Sequence, residues 1–227
     1  MSEWYLKLVD GMLGRNRFVE EMNEVPVQTN LIFKPIITVS RDPGSGGAPI
    51  AKIVSQKLGF TFYNKKLVTE VAKSAKAREG IIQDIDEKQR SLMEDFIQNS
   101  LNPEYVSEQR YMKNLAKVIL AINQHGKAVI LGRGSNFMVP AAFALRVRVT
   151  APYRVCVARA VQYEGVPYSR AREIINKVMA ERAGFVKQYF SKDISNPKYY
   201  DLTLNTAYMT IEDAGHLVIT AFKRKFP

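Results

Sequence analysis

The sequence predicts an α/β domain in which a parallel sheet is covered by helices on both faces. Three observations predict it. Short β-branched runs alternate with longer segments of helical period, and the first run breaks directly into a glycine-rich loop that opens a helix. No apolar stretch approaches the roughly 18 to 20 residues needed to cross a bilayer. Strands separated by helices need crossover connections, which set the strands parallel and bury both faces of the sheet.

Residues 1–30 mix Trp4, Tyr5, Leu6, Leu8 and Val9 with charges at near-helical spacing, which predicts a helical extension outside the main domain of residues 31–227. Such a helix packs on the domain or meets a protein partner, a second copy of the chain or a membrane surface. The first core strand runs from Phe33 to Ser40 and ends in Arg41-Asp42-Pro43-Gly44-Ser45-Gly46-Gly47. The helix that follows carries Ile50, Ile53, Val54 and Leu58 on one face and closes at Gly59. A short strand at Phe60 to Tyr63 leads into a helix from Lys65 to Lys76, and a mostly helical region covers residues 81–124 with Pro103 as punctuation. Ala128 to Leu131 is the next strand, broken by Gly132-Arg133-Gly134. Ala144 to Thr150 is a further strand, followed by helices over Pro152 to Glu164 and Ser169 to Phe190. A strand at Leu202 to Leu204 and a helix from Thr210 complete the pattern, with no internal repeat or low-complexity tract.

At 227 residues and 46% hydrophobic, the chain can bury one sizeable core. Its 33 basic and 22 acidic residues give a net charge of +11, which favours nucleotides, nucleic acid or a membrane surface as partners without choosing among them. Cys156 is the only cysteine and lies in an apolar run, so it reads as core. With His125 and His216 as the only histidines, a Cys/His zinc centre is excluded and no residue is assigned to a metal. The first thirty residues lack the apolar core and cleavage site of a secretory signal, so a cytoplasmic location is expected.

Glycines that follow a buried strand and open a helix turn several backbone N–H groups toward one point, where the helix dipole adds about half a positive charge. That arrangement suits a polyphosphate, and it assigns Pro43, Gly44, Ser45, Gly46, Gly47 and Ala48 to nucleotide binding. A standard phosphate loop also carries a lysine and a hydroxyl. Here Gly47 stands at the lysine position, and Ala48 or Pro49 at the hydroxyl position.

Ser40-Arg41-Asp42-Pro43-Gly44-Ser45-Gly46-Gly47 resembles the S-R-x-x-G-S-G-G loop of the cytidylate kinase-like family. Further matches follow in order: Lys57-Leu58-Gly59-Phe60, Phe62-Tyr63, Leu67, Gly132-Arg133-Gly134, Arg146 to Pro152 with Arg154, and Tyr200 to Thr206. The resemblance spans about Lys34 to Phe226. It implies a three-layer α/β/α P-loop fold of nucleoside monophosphate kinase type, with a helical lid at about residues 153–198. It implies transfer of the γ-phosphoryl group of ATP to a nucleoside monophosphate, cytidylate by default, with Mg2+ held through phosphates and water.

Residues 151–200 hold nine Lys or Arg against four Asp or Glu, in the segment that the resemblance makes a lid. It assigns Arg154, Arg182 and Lys187 to catalysis and Arg159 to the nucleotide, as clamps on phosphate oxygens. Arg41 stands in for the missing lysine, while Tyr63, Asn64, Gly132 and Arg133 are assigned to the acceptor. The chain also departs from the family. Ala48-Pro49 follows the loop where polar residues are usual, Asn64 replaces an aspartate, and Glu70 occupies the position of an arginine that holds the acceptor phosphate. The strand ending at Leu131 offers no carboxylate for magnesium, leaving Asp42 as the helper. A catalytically weak nucleotide-binding regulatory module is therefore an alternative reading. A second alternative is a basic nucleic-acid-binding protein, drawing on charges interleaved with Tyr153, Tyr163, Tyr168, Tyr189, Tyr199 and Tyr200.

Overall fold

A computed structural model describes residues 33–82, 85, 87–101 and 109–227; the helix expected over residues 1–30 lies outside them. Five parallel strands, β1 (Ile36–Arg41), β2 (Thr61–Tyr63), β3 (Ala128–Leu131), β4 (Ala144–Thr150) and β5 (Leu202–Asn205), form one sheet in the order β2-β3-β1-β4-β5. β3 and β4 occupy the residues expected of them. β1 begins at Ile36 instead of Phe33 because it is a central strand, and Pro35 has no N–H to give a ladder on either side.

The helices are α1 (Gly47–Leu58), α2 (Lys65–Lys73), α3 (Ala75–Ile82), α4 (Glu87–Ser100), α5 (Gln109–His125), α6 (Ser135–Met138), α7 (Tyr153–Glu164), α8 (Tyr168–Phe190) and α9 (Ile211–Lys225). The single helix expected over Lys65 to Lys76 is two, because Ser74 takes an extended conformation with ψ 119° and ends α2. α9 starts as its sequence dictates: Thr210 accepts the Asp213 N–H, and its hydroxyl donates to the Asp213 carboxylate at 2.6 Å.

Alternation along the strands divides the interior into two layers. Ile37 and Val39 face the same way as Val129, Leu131, Leu145, Val147 and Val149, and are covered by Ile50 and Val54 of α1 and Val218 and Phe222 of α9. Each such side chain, wholly withdrawn from water, contributes about 1.5 to 3 kcal/mol. On the opposite face Ile36, Ala128, Ile130 and Ala144 meet Leu115, Ile119 and Ile122 of α5 and Val68 of α2. That second face turns polar toward the carboxyl ends of the strands, where Thr38, Ser40 and Arg148 are all buried.

α7 and α8 share a smaller core of Cys156, Val157, Ala160, Ala171 and Ile175. Cys156 is buried, and burial pushes its thiol up, as expected of a packing residue. Among the described residues no helix is long and apolar enough to cross a membrane.

β4, β5 and α9 are tied by Asp201. Its carboxylate accepts from Arg146 at 2.9 Å and from Lys225 at 2.9 Å, while Lys225 also donates to the Ala141 and Ala144 carbonyls. Burial pushes the Asp201 carboxyl up, but Arg146 and Lys225 outweigh it and hold the group below the usual carboxylate range. Its stabilising effect is therefore complete above the unfolded carboxylate pKa of about 3.9 and is lost as pH falls through the lower folded value. Asp201→Asn is expected to cost about 2 kcal/mol in urea unfolding at neutral pH, with the gap from the parent protein closing below about pH 3.9.

Candidate active site

In this strand order the chain leaves β1 toward one edge of the sheet and β3 toward the other. The crevice at their carboxyl ends is thus the topological switch point where ligands of open α/β sheets collect. Arg41 ends β1 on one side of it, and Gly132-Arg133-Gly134 follows β3 on the other.

The loop between β1 and α1 is fastened from below. Asp42 donates its N–H to the Val149 carbonyl at 3.0 Å, and its carboxylate accepts from Arg148 and, at 2.6 Å, from the Thr150 hydroxyl. Ser45 donates its hydroxyl to the Asp42 and Val149 carbonyls and its N–H to Asp42. Thr206 donates to the Ser45 carbonyl at 2.8 Å, and Arg159 donates to Thr206 and to the Gly44 carbonyl. Four N–H groups are left over: those of Gly44, Gly46, Gly47 and Ala48 have no protein acceptor among the described residues. Converging amides at a helix start form an anion nest.

Arg41 lies across this nest. A Cβ added at Gly47 would sit 2.5 Å from the Arg41 Cβ, so the arginine stem fills the space that a side chain at position 47 would need. The guanidinium continues to Gly132, where φ is +78° and a Cβ would collide with Nη1. Arg182 of α8 donates to the Arg41 carbonyl at 2.7 Å. Burial, then Arg182, Arg133 and Arg148, push Arg41 down to about 9, and burial likewise lowers Arg182. A guanidinium keeps its proton at neutral pH, so this crowding is expressed as an appetite for an anion.

Two cavities flank the pair. One of ≈ 330 Å³ lies over the loop, lined by Asp42, Pro43, Arg148, Met179 and Asp193. The other, of ≈ 440 Å³, is lined by Ser40, Lys65, Arg133, Asn136, Glu181 and Phe185. Arg41, Arg182 and Ile194 line both.

Of the residues assigned from sequence, Arg41, Pro43, Arg182, Gly132 and Arg133 line these cavities. The Gly44, Gly46, Gly47 and Ala48 amides form the nest. Others are used differently. Ser45 donates its hydroxyl and its N–H to carbonyls of the loop and of β4, and Arg159 donates from Nη1 and Nη2 to Thr206 and Gly44, so both brace the nest. Asn64 caps α2 by accepting the Leu67 N–H at 2.9 Å, and Tyr63 packs against the core; neither lines either of these two cavities. Arg154 is exposed on the first turn of α7. Lys187 is exposed because five residues past Arg182 is about 140° around the helix. Asp42 is committed to Arg148 and Thr150, and no group of three or more His, Cys, Asp or Glu among the described residues is placed to hold a metal.

Lys65, Arg148 and Asn136 were not singled out from sequence. Arg148 carried a signal: an arginine alternating with Val147 and Val149 in a strand covered on both faces must be buried and paired. Its partners are Asp42 and, at 3.2 Å, the Ser40 hydroxyl.

A profile of the cytidylate kinase-like family matches residues 36–208. Cytidylate kinase from Aeropyrum pernix is 25% identical over 188 residues, which span 82% of this chain and 98% of that protein. Cytidylate kinase from Archaeoglobus fulgidus is 28% identical over 196 residues, spanning 83% and 95%. Among solved structures, an uncharacterized protein from Eubacterium ventriosum has the same fold, with a TM-score of 0.67 at 20% identity over 84% of this chain and 99% of that one.

Because Arg41 occupies the space beside Gly47, restoring a loop lysine is expected to fail on its own. Gly47→Lys should lower stability by about 1 to 3 kcal/mol through overpacking. The double variant Arg41→Gly, Gly47→Lys, which removes the Arg41 Cβ as well as the stem, should recover most of it, as read by thermal unfolding of the two variants beside each single change.

Proposed function

The chain belongs to the cytidylate kinase-like family, and on that footing we propose that it transfers the γ-phosphoryl group of ATP to a nucleoside monophosphate of cytidylate type. One observation carries this reading: two cavities, one beside the start of the loop at Asp42 and Pro43 and one lined by Lys65 and Arg133, meet at Arg41 and Arg182. A group passing from a donor in the first to an acceptor in the second crosses that pair of guanidiniums.

In this reading the nest amides hold the donor phosphates, with Arg41 reaching them from the side of β1 in place of a loop lysine. An oxygen of the acceptor phosphate attacks the terminal phosphorus, the bond to the bridging oxygen breaks, and ADP leaves with the electron pair. The acceptor phosphate is already an anion, so no general base is required. Charge on the transferred group is spread over its oxygens, and Arg41 and Arg182 offset it without having to reorganise. Magnesium belongs to the nucleotide, carried on its phosphates and water. Residues 31–227 act as one domain, in which α7 and α8 serve as a lid that holds Arg182 against the Arg41 carbonyl and excludes water.

The test is ADP release with ATP, magnesium and a panel of nucleoside monophosphates. Turnover is expected with CMP or dCMP, and Arg182→Ala should reduce it by about 100-fold or more. If no monophosphate raises ADP release while ATP still raises the melting temperature, the protein is a nucleotide-binding module without transfer.

A further inference from the structure

Between α8 and β5 the chain makes a tight turn. Ser191 follows α8 with φ +53°, and the Asp193 carboxylate then accepts the Ser195 N–H at 2.8 Å and the Ser195 hydroxyl at 2.7 Å. The Asp193 carbonyl accepts the Asn196 N–H at 3.2 Å. These bonds shape the turn without placing it, since every donor and acceptor in them belongs to the turn itself. Placement matters here, because Ile194 lines both cavities together with Arg41 and Arg182.

A buried hydroxyl supplies the placement. Tyr200 is 8% exposed and lines neither cavity. Its hydroxyl donates to the Ile194 carbonyl at 2.8 Å and lies 3.4 Å from the Ser40 hydroxyl of β1. The buried Asn136 side chain of α6 meets the same oxygen. Ser40 in turn accepts from Arg148 at 3.2 Å and directly precedes Arg41 in the chain. A phenol has one hydrogen to give and lone pairs to receive with, so it can donate to Ile194 while accepting from Ser40 and Asn136. Burial pushes the phenol up from its ordinary value, which keeps that hydrogen in place at neutral pH. A phenylalanine would fill the same space and leave the Ile194 carbonyl without this donor.

We infer that Tyr200 is a positioning residue: by holding the Ile194 carbonyl against β1 and α6, it sets the wall that the two cavities share and with it the affinity for both ligands together. The assignment rests on the phosphoryl-transfer reading above for the identity of those ligands. Tyr200 acts on them through Ile194 and not by contact.

The experiment compares the parent protein, Tyr200→Phe and Asp201→Asn. Asp201 is the neighbouring residue, but its carboxylate bonds Arg146 and Lys225 and it lines neither cavity, so its loss lowers stability without reaching the wall. Calorimetric titration, well below the thermal midpoint, is expected to show ATP and CMP each weakened about five- to tenfold in Tyr200→Phe, by similar factors. Both ligands should stay within twofold of the parent in Asp201→Asn. Hydrogen exchange of the Ser195 and Asn196 amides should quicken at least about tenfold more than that of β4 amides in Tyr200→Phe, as local opening of the turn requires. The assignment is overturned by exchange at Ser195 and Asn196 that changes only in step with β4, or by affinities within twofold of the parent in Tyr200→Phe. Weakening of one ligand alone, an equal loss in Asp201→Asn, or a parent protein that binds neither ATP nor CMP overturns it as well. Exchange and binding need no turnover, so the two readings fail separately. Both nucleotides weakened together in Tyr200→Phe, with no ADP release from the parent, ends the transfer reading alone, whereas turnover with unchanged exchange at Ser195 and Asn196 ends this one alone.

Discussion

The buried pair between Asp42 and Arg148 is the interaction on which the cleft depends. Both side chains are almost wholly withdrawn from solvent, and Thr150 and Ser40 complete their hydrogen bonding. Such a pair adds little net stability, since desolvation offsets most of its attraction, but it fixes geometry. Here it locks the residue that begins the loop to β4, and Ser45 then locks the middle of the loop to the same strand. The amides of Gly44, Gly46, Gly47 and Ala48 are held open because everything beneath them is already bonded.

The same pair sets the electrostatics. Once Arg148 has neutralised Asp42, the cations around Arg41 have few carboxylates left to answer them, and Arg41, Arg133, Arg182 and Lys65 repel one another across the crevice. The fold tolerates that repulsion because large apolar layers on both faces of the sheet supply the stability. A site with its dipoles and charges oriented in advance does not have to arrange them when a phosphate arrives. Arg41 shows how closely sequence and site are coupled: its stem is admitted by Gly47 and its head by Gly132, two glycines far apart in the chain.

Much of the fold was legible from periodicity. β3 and β4 were bounded correctly because β-branched runs end at glycine or turn residues, and α1 was closed at Gly59 by its αL cap. The break at Ser74 escaped, since nothing in a run of good helix formers signals one extended residue. In the site, the nest was legible because it is local: strand, glycines and helix follow one another in the chain. Lys187 and Arg154 were assigned from the resemblance of the lid segment, and helix rotation and an exposed first turn place them outside the lining of the two cavities. Ser45 was assigned through its place in the glycine loop and Asn64 and Arg159 through the resemblance, and in the structure their polar groups bond backbone and side-chain partners of the protein itself.

By itself the sequence determined the parallel α/β architecture, the position of the phosphate loop and the absence of its lysine, because each is written in contiguous residues. Only the tertiary structure decided that Arg41 occupies the space beside Gly47, that Arg148 neutralises Asp42, and that Lys65 joins Arg133 in one cavity. These facts join residues from different strands and helices. Their distances are set by how the sheet is ordered and how α2 and α8 pack across it, and no local pattern of residues encodes that.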